Sequence, residues 1–145
     1  MARQKNALTK YEVAPMPTES SEPSYKRLAK WVTSVTDASD ENVETTGYYD
    51  GDGTPEQDVT YFMFAKSFEG TYDDEDEAMN FIKSLKFNVG EGRKIMWRVT
   101  HPDGEVLEGP ATVTGPITSG GDATGYPVFN CTIAFNRKPE ITPAP

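Results

Sequence analysis

Alternation of polar and apolar residues in two segments is the feature that most constrains the fold of this chain. Between 94 and 99, Ile95, Trp97 and Val99 alternate with Lys94, Met96 and Arg98. Because successive side chains of a β-strand point to opposite faces of a sheet, this pattern predicts a strand with one buried face. The segment 128–136 repeats the pattern, and there the apolar residues are Phe129, Cys131, Ile133 and Phe135.

Two further segments alternate in the same way. Residues 31–35 predict a strand with Trp31 on the same face as Val35. Residues 59–68 place Phe62 and Phe64 on one face, but the opposite face is also partly apolar, which predicts a strand covered on both sides by the helix or by another subunit. Asp103-Gly104 is a strong hairpin-turn signal after the strand that contains Trp97.

The segment 71–87 has a helical rather than a strand period. Apolar residues recur three and four positions apart, which predicts one amphipathic helix over about 73–86, capped by Thr71 with Asp74 or by Asp73. The fold class is therefore α+β, mainly β: an antiparallel β-sandwich or barrel with one helix. The predicted core consists of Trp31, Phe62, Phe64, Phe81, Ile82, Leu85, Trp97, Phe129, Cys131, Ile133 and Phe135.

A length of 145 residues favours a single domain. Recurring prolines predict an extended N-terminal arm over 1–24 and a proline-rich tail over 137–145, with the β-domain between them at 25–136. Within the arm, Leu8, Tyr11 and Val13 form an apolar island that either docks on a neighbouring surface or belongs to an ordinary frayed terminus.

The charge is unevenly distributed along the chain. Of 23 acidic residues, 14 lie between Asp37 and Glu77, where Lys66 is the one basic residue, so this block carries −13 and the remainder +4. Such a block disfavours specific binding to nucleic-acid phosphates. It is compatible with head-to-tail association of copies, although a solvated acidic face is the commoner explanation for such a block.

No residue pattern indicates catalysis, a metal or a cofactor. The loop 50–56 has clustered carboxylates, but Pro55 stands where a calcium loop needs glycine, and a solvated turn is favoured. His101 is expected in a turn and Cys131 in a core, where a thiol stays protonated. We expect no enzyme activity and no membrane span. Since Met1–Lys10 lacks the apolar region of a secretory signal, we expect the chain to fold in a cytoplasm.

Three segments together resemble the major tail tube, or tail shaft, protein of long-tailed phages (siphophages) of Gram-positive bacteria. They are the stretch from Leu8 to Val59, the helix segment GTYDDEDEAMNFIKSLK and the closing strand GYPVFNCTIAFNRK. The resemblance implies a β-sandwich or barrel with one helix and a structural role in the virion tail. It implies hexameric rings, assembled in the host cytoplasm and stacked into a hollow tube that delivers DNA without binding it specifically. Other tail proteins (tape measure, tail tip and terminator) would be partners.

The resemblance also implies roles for individual segments. A loop containing Tyr48, Tyr49, Asp50, Asp52, Glu56 and Asp58 would reach the adjacent ring, and both terminal arms would bridge subunits. The lumen of the family is typically acidic, which makes Asp40, Glu41 and Glu44 candidates for its wall. Two alternatives remain open: an Ig-like or carbohydrate-binding surface module that uses Tyr48, Tyr49 and Tyr126, and a tail-terminator or connector of the same fold.

Overall fold

The computed structural model describes residues 3, 5–17, 24–49 and 51–143. This part of the chain forms ten strands and one α-helix, with short 3-10 turns at Asn6–Leu8 and Gly90–Arg93. The elements are β1 (Lys10–Pro15), β2 (Lys26–Arg27), β3 (Val32–Asp37), β4 (Asp40–Thr46), β5 (Glu56–Met63), β6 (Ala65–Thr71), α1 (Glu77–Ser84), β7 (Lys94–Thr100), β8 (Val106–Ile117), β9 (Val128–Phe135) and β10 (Glu140–Thr142).

Eight of these strands form one antiparallel sheet. Its order is β2-β1-β7-β8-β9-β6-β3, and β10 pairs with the first residues of β8. The other two strands, β4 and β5, pair only with each other within the described residues. The turn at His101–Glu105 joins β7 to β8, with the His101 amide donating to the Glu105 carbonyl oxygen at 2.8 Å.

The large sheet is strongly curled. Three strands lie between β1 and β6, so a flat sheet would hold them about 19 Å apart. The rings of Tyr11 on β1 and Phe68 on β6 nevertheless meet edge to face, with centroids 5.0 Å apart. The sheet is therefore a half-barrel, and the predicted mainly β fold with one helix is confirmed.

The concave face of the half-barrel holds the core. Trp97 is fully buried, and its ring centroid lies 4.6 Å from that of Phe135. The alternating residues of β7 and β9 are buried, including Phe129, Cys131, Ile133 and Phe135 of β9. Helix α1 adds Ala78, Met79 and Ile82 to the same core.

The helix is shorter than its sequence pattern predicts. It begins at Glu77, and its N-cap is Asp76, whose side chain accepts from the Ala78 amide, rather than Thr71 or Asp73. One Asp76 carboxylate oxygen is buried without a hydrogen-bond partner, and burial raises the pKa of this residue. Leu85 and Ile82 are buried, whereas Phe81 is half-buried at the margin of the core.

Two predicted core residues lie on the surface. Trp31 is 50% exposed and has a left-handed backbone (φ 68°), because it forms the turn before β3 rather than the first residue of that strand. Phe62 is 60% exposed. The prediction of one strand over 59–68 is wrong: the chain leaves β5 after Met63, and the half-buried Phe64 separates it from β6.

The predicted N-terminal arm also needs correction. Lys10–Pro15 pairs along its whole length with β7, so it is an internal strand of the sheet. Val13 is fully buried and Tyr11 packs against Phe68, which places both in the core of their own subunit. Leu8 alone of the three predicted arm contacts is exposed, at 54%. Residues 1, 2, 4 and 18–23 lie outside the described part of the chain.

Candidate assembly surfaces

The β4–β5 hairpin, residues 40–63, is an element with no packing of its own. Every residue that the structure describes in it is exposed, on both faces of the ribbon. An isolated two-stranded hairpin is marginally stable in water at best. The ribbon therefore presents two free faces to a partner.

The strand register gives those two faces different chemistry. Val43 lies opposite Val59, and Glu41 opposite Phe62, so one face, the apolar face, holds the apolar residues Val43, Val59 and Phe62 among three polar ones. Glu44 lies opposite Asp58 on the other face, which is the acidic face and also holds Asp40, Glu56, Tyr61 and Met63. Like charges directly opposite each other destabilise a strand pair, so the acidic face gains from a basic partner.

The structure brings two predicted sets of residues together in this hairpin. Tyr48, Tyr49 and Asp52 lie at its tip, and Glu56 and Asp58 lie on β5. The lumen candidates Asp40, Glu41 and Glu44 lie on β4, opposite β5. Asp50 lies outside the described residues. Hydrogen bonds from Thr54, including its amide at 2.9 Å, lower the pKa of Asp52.

A second exposed surface follows the helix, in the loop 85–93. Phe87 and Val89 are 93% and 84% exposed there. Arg93 holds the loop in place by donating to the carbonyl oxygens of Lys86 (2.7 Å), Asn88 (2.8 Å) and Val113 (3.3 Å). Phe87 falls outside the stripe of Ala78, Ile82 and Leu85, whereas Val89 continues its spacing and is exposed because the helix ends at Ser84.

The convex face of the sheet carries a compact polar network. Arg98 donates from Nε and Nη2 to the two carboxylate oxygens of Glu12, at 3.2 and 2.9 Å, and this contact raises the pKa of Arg98. The Arg98 guanidinium also lies 4.1 Å from the ring centroid of Tyr25, whose hydroxyl donates to Glu108. These contacts hold the segment before β2 across the sheet, and the Arg98–Glu12 pair balances its own charge.

An aromatic cleft of about 290 Å³ lies beside the end of β6, lined by Trp31, Thr71, Tyr72, Asp73 and Tyr126. The Trp31 indole N–H donates to Asp73 at 2.6 Å, and Asp73 also accepts from the Glu75 amide at 3.0 Å. These two bonds, with the Glu75 amide the larger cause, lower the pKa of Asp73.

Neither a metal centre nor a reactive thiol emerges from the described residues. No group of three or more His, Cys, Asp or Glu side chains there is placed to hold a metal ion. Burial raises the pKa of Cys131 to about 12, so its thiol is protonated at neutral pH. No helix in this part of the chain has the length and apolar composition needed to span a membrane.

The terminal strands of the large sheet form its open edges. β3 is the last strand on one side and the two-residue β2 is the last on the other. The unpaired amides and carbonyls of such edges are available to a further strand. Within the described residues, the sheet edges at β2 and β3, the β4–β5 hairpin and the apolar loop 85–93 are thus left uncovered.

Comparison with known proteins identifies the fold class to which these features belong. The sequence matches no protein-family model and no curated protein. Its fold matches solved chains of tailed particles. A chain in the virion of a native gene transfer agent particle aligns over 97% of this chain and 100% of its own length, with a TM-score of 0.72 and 13% identity.

Two further structures share the fold. A chain in the tail of an empty gene transfer agent particle, which has C6 symmetry, aligns over 97% of this chain and 100% of its own, with a TM-score of 0.70 and 14% identity. A chain from the sheath–tube complex of an extracellular contractile injection system covers 92% of this chain and 87% of its own, with a TM-score of 0.50 and 17% identity. At these identities the likeness establishes the fold, which is tail-tube-like.

Proposed function

We propose that this chain is a structural tail tube protein of a virion, whose copies form hexameric rings that stack into a hollow tube for DNA delivery. The observation that carries the proposal is the fold match, over nearly the whole of both chains, to a chain of a tail with C6 symmetry. The resemblance of the segments Leu8–Val59, 70–86 and 125–138 to the tail tube proteins of siphophages that infect Gram-positive bacteria supports the same function from the sequence side.

The surfaces of the subunit support assembly in two directions. The open edges at β2 and β3 suit side-by-side closure of a ring, which would leave no free sheet edge. The hairpin suits contact between successive rings. Because Asp40, Glu41 and Glu44 lie on the same ribbon as the proposed inter-ring loop, we assign them to stacking rather than to the wall of the lumen.

The remaining partners follow from this role. A net charge of −9 disfavours adhesion to DNA phosphates, so the duplex passes through the tube without specific binding. The chain acts without cofactor or turnover. Its proposed place is the virion tail after assembly in the host cytoplasm, in contact with tape-measure, tail-tip and terminator proteins.

Negative-stain electron microscopy and native mass spectrometry of the purified protein test the proposal together. We expect hexamers by mass and stacked hollow rings by microscopy at high concentration. Rings that never elongate, even with a tail-tip nucleus, would instead identify a terminator or connector of the same fold. Monomers under every condition, including the presence of such a nucleus, would contradict the proposed function.

A carbohydrate-binding module is the second candidate, and the aromatic cleft is the observation that favours it. Tyr126 is 82% exposed beside the exposed Trp31, and aromatic faces with a neighbouring carboxylate are suited to a sugar ring. Tyr48 and Tyr49 lie on the hairpin instead, so the three tyrosines expected to act together do not share a site. Binding on a glycan array that is lost in Trp31→Ala would support this candidate.

A further inference from the structure

A groove of about 550 Å³ lies along the exposed face of α1, and no described segment fills it. It lies between the C-terminal half of α1 and the residues after β8, and is lined by Asn80, Lys83, Ser84, Lys86, Phe87, Thr118 and Ser119. Lys83 and Lys86 are exposed, and within the described residues neither forms an ion pair. The groove is therefore basic, with one apolar wall at Phe87.

The groove and the hairpin lie at opposite ends of the sheet. The hairpin leaves the sheet where β6 begins, at Ala65. β6 and β7 are antiparallel to each other, because β8 and β9 lie between them and every neighbouring pair is antiparallel. β6 runs from Ala65, which lies in one row with Ala134, Thr112 and Lys94, to Thr71, which lies beside Val128. The end of β6 and the end of β8 therefore lie at the other end of the sheet, where residues 118–119 line the groove together with Lys83, Lys86 and Phe87.

This arrangement is what a contact repeated along an axis requires. A surface that projects from one end of a subunit and a complementary surface at its opposite end can join identical copies head to tail without limit. The position of the two surfaces thus selects a second copy of the chain as the partner.

The chemistry of the two surfaces is complementary. The hairpin contains seven acidic residues and no basic residue between 40 and 63. Its acidic face places Glu44 directly opposite Asp58, a repulsive pair that a lysine between them would neutralise. The acids Asp73–Asp76 precede the helix and Glu77 is its first residue, so repulsion disfavours that side and directs the hairpin to the C-terminal half of α1.

We propose that the acidic face of the β4–β5 hairpin of one copy docks in the Lys83–Lys86 groove of the next copy. The inference rests on the proposed tube function and adds the receptor surface to it. Arg93 fixes the conformation of the loop 85–88 by donating to the carbonyl oxygens of Lys86 and Asn88. Phe87 provides the apolar wall against the hairpin. The contact orders successive rings and leaves the open edges of β2 and β3 for contacts within a ring.

Charge reversal on each side, and then on both, tests the docking. Lys83→Glu with Lys86→Glu is expected to give hexameric rings that do not elongate, and Glu44→Lys with Asp58→Lys is expected to do the same. All four residues are exposed, so thermal unfolding should stay close to that of the wild type. The protein with all four changes restores opposite charges and is expected to recover tubes. Lys5→Glu with Lys10→Glu is the control for the lysine variant, since it makes the same change in net charge at exposed positions outside both surfaces.

The possible outcomes distinguish a failure of the proposed docking from a failure of the proposed tube function. Tubes of normal length from either two-residue variant would overturn the docking and leave the tube function intact. Rings without tubes from the four-residue variant would also overturn the docking. If the wild-type protein forms neither rings nor tubes with a tail-tip nucleus, the proposed function fails, and the docking fails with it.

Discussion

At the residue scale, burial sets the chemistry of Cys131. The side chain lies between Phe129 and Ile133 on the buried face of β9, and its pKa is raised to about 12. The thiolate is the nucleophile that attacks iodoacetamide and displaces iodide, so we expect no labelling of the native protein at pH 8 and full labelling in denaturant. Mass spectrometry measures both. Stoichiometric labelling without denaturant would place Cys131 outside the core.

The hydrogen bond between Trp31 and Asp73 predicts a pH response. Because the pKa of Asp73 is lowered, the stabilisation from its carboxylate is complete above the ordinary aspartate value and is lost as the pH falls through the lowered value. The indole N–H resonance of Trp31 is therefore expected to shift with a midpoint below that ordinary value. Asp73→Asn should abolish the transition, and the buried Trp97 provides an internal reference. A midpoint at or above the ordinary value would contradict the contact.

At the element scale, the strands and the helix with a clear period could be predicted, as could the turn between β7 and β8, whereas the break between β5 and β6 and the strand β8 could not. β7, β9 and the apolar stripe of α1 follow their sequence periods because each has one face in the core. The break at Phe64 interrupts an alternation that continues across it, so periodicity alone cannot locate it. β8 is the longest strand, yet Gly109, Pro110 and Pro116 give it the composition of a loop. It is held in the sheet by pairing with β7 on one side and β9 on the other, which its own local composition does not record.

The helix should contribute to stability through its buried stripe. Ile82 is fully buried, and we expect Ile82→Ala to lower the free energy of unfolding by about 2 to 5 kcal/mol, because it removes core contacts and leaves a cavity. Phe87→Ala is the matched control, since Phe87 is 93% exposed and its removal should change stability by less than about 0.5 kcal/mol. Chemical denaturation of both variants gives the comparison. Equal effects would show that α1 does not pack as described.

The tip of the hairpin should not be needed for the folding of the subunit. Replacing residues 47–55 by an Asn-Gly turn shortens the ribbon, and none of the described residues removed is buried. We expect the variant to unfold within a few degrees of the wild type and to form rings that do not stack. Tubes of normal length would show that the hairpin tip takes no part in the contact between rings. A large loss of stability would show that the hairpin stabilises its own subunit.

At the scale of the whole molecule, charge separates the two directions of assembly. The acidic block could be recognised in the sequence, but the face it occupies could not, because the register of β4 against β5 decides which carboxylates lie together. In the proposed tube, ring closure through sheet edges would depend on backbone hydrogen bonds and apolar contacts, whereas stacking through the hairpin would depend on opposite charges. Salt screens the second kind of contact more strongly than the first.

This difference predicts that salt dissolves tubes into rings rather than into monomers. Between about 0.1 and 1 M salt the screening length falls from about 10 to about 3 Å. At the higher salt concentration, exposed charges that are separated by a layer of water are therefore largely screened from each other. We therefore expect tubes to shorten as NaCl increases while native mass spectrometry or sedimentation still detects hexamers. Sucrose of equal osmolality is the control, because it changes water activity without screening charge. Tubes that lengthen with salt would show that apolar burial dominates stacking. In that case the apolar face of the ribbon, with Val43, Val59 and Phe62, would be the face that meets the next ring.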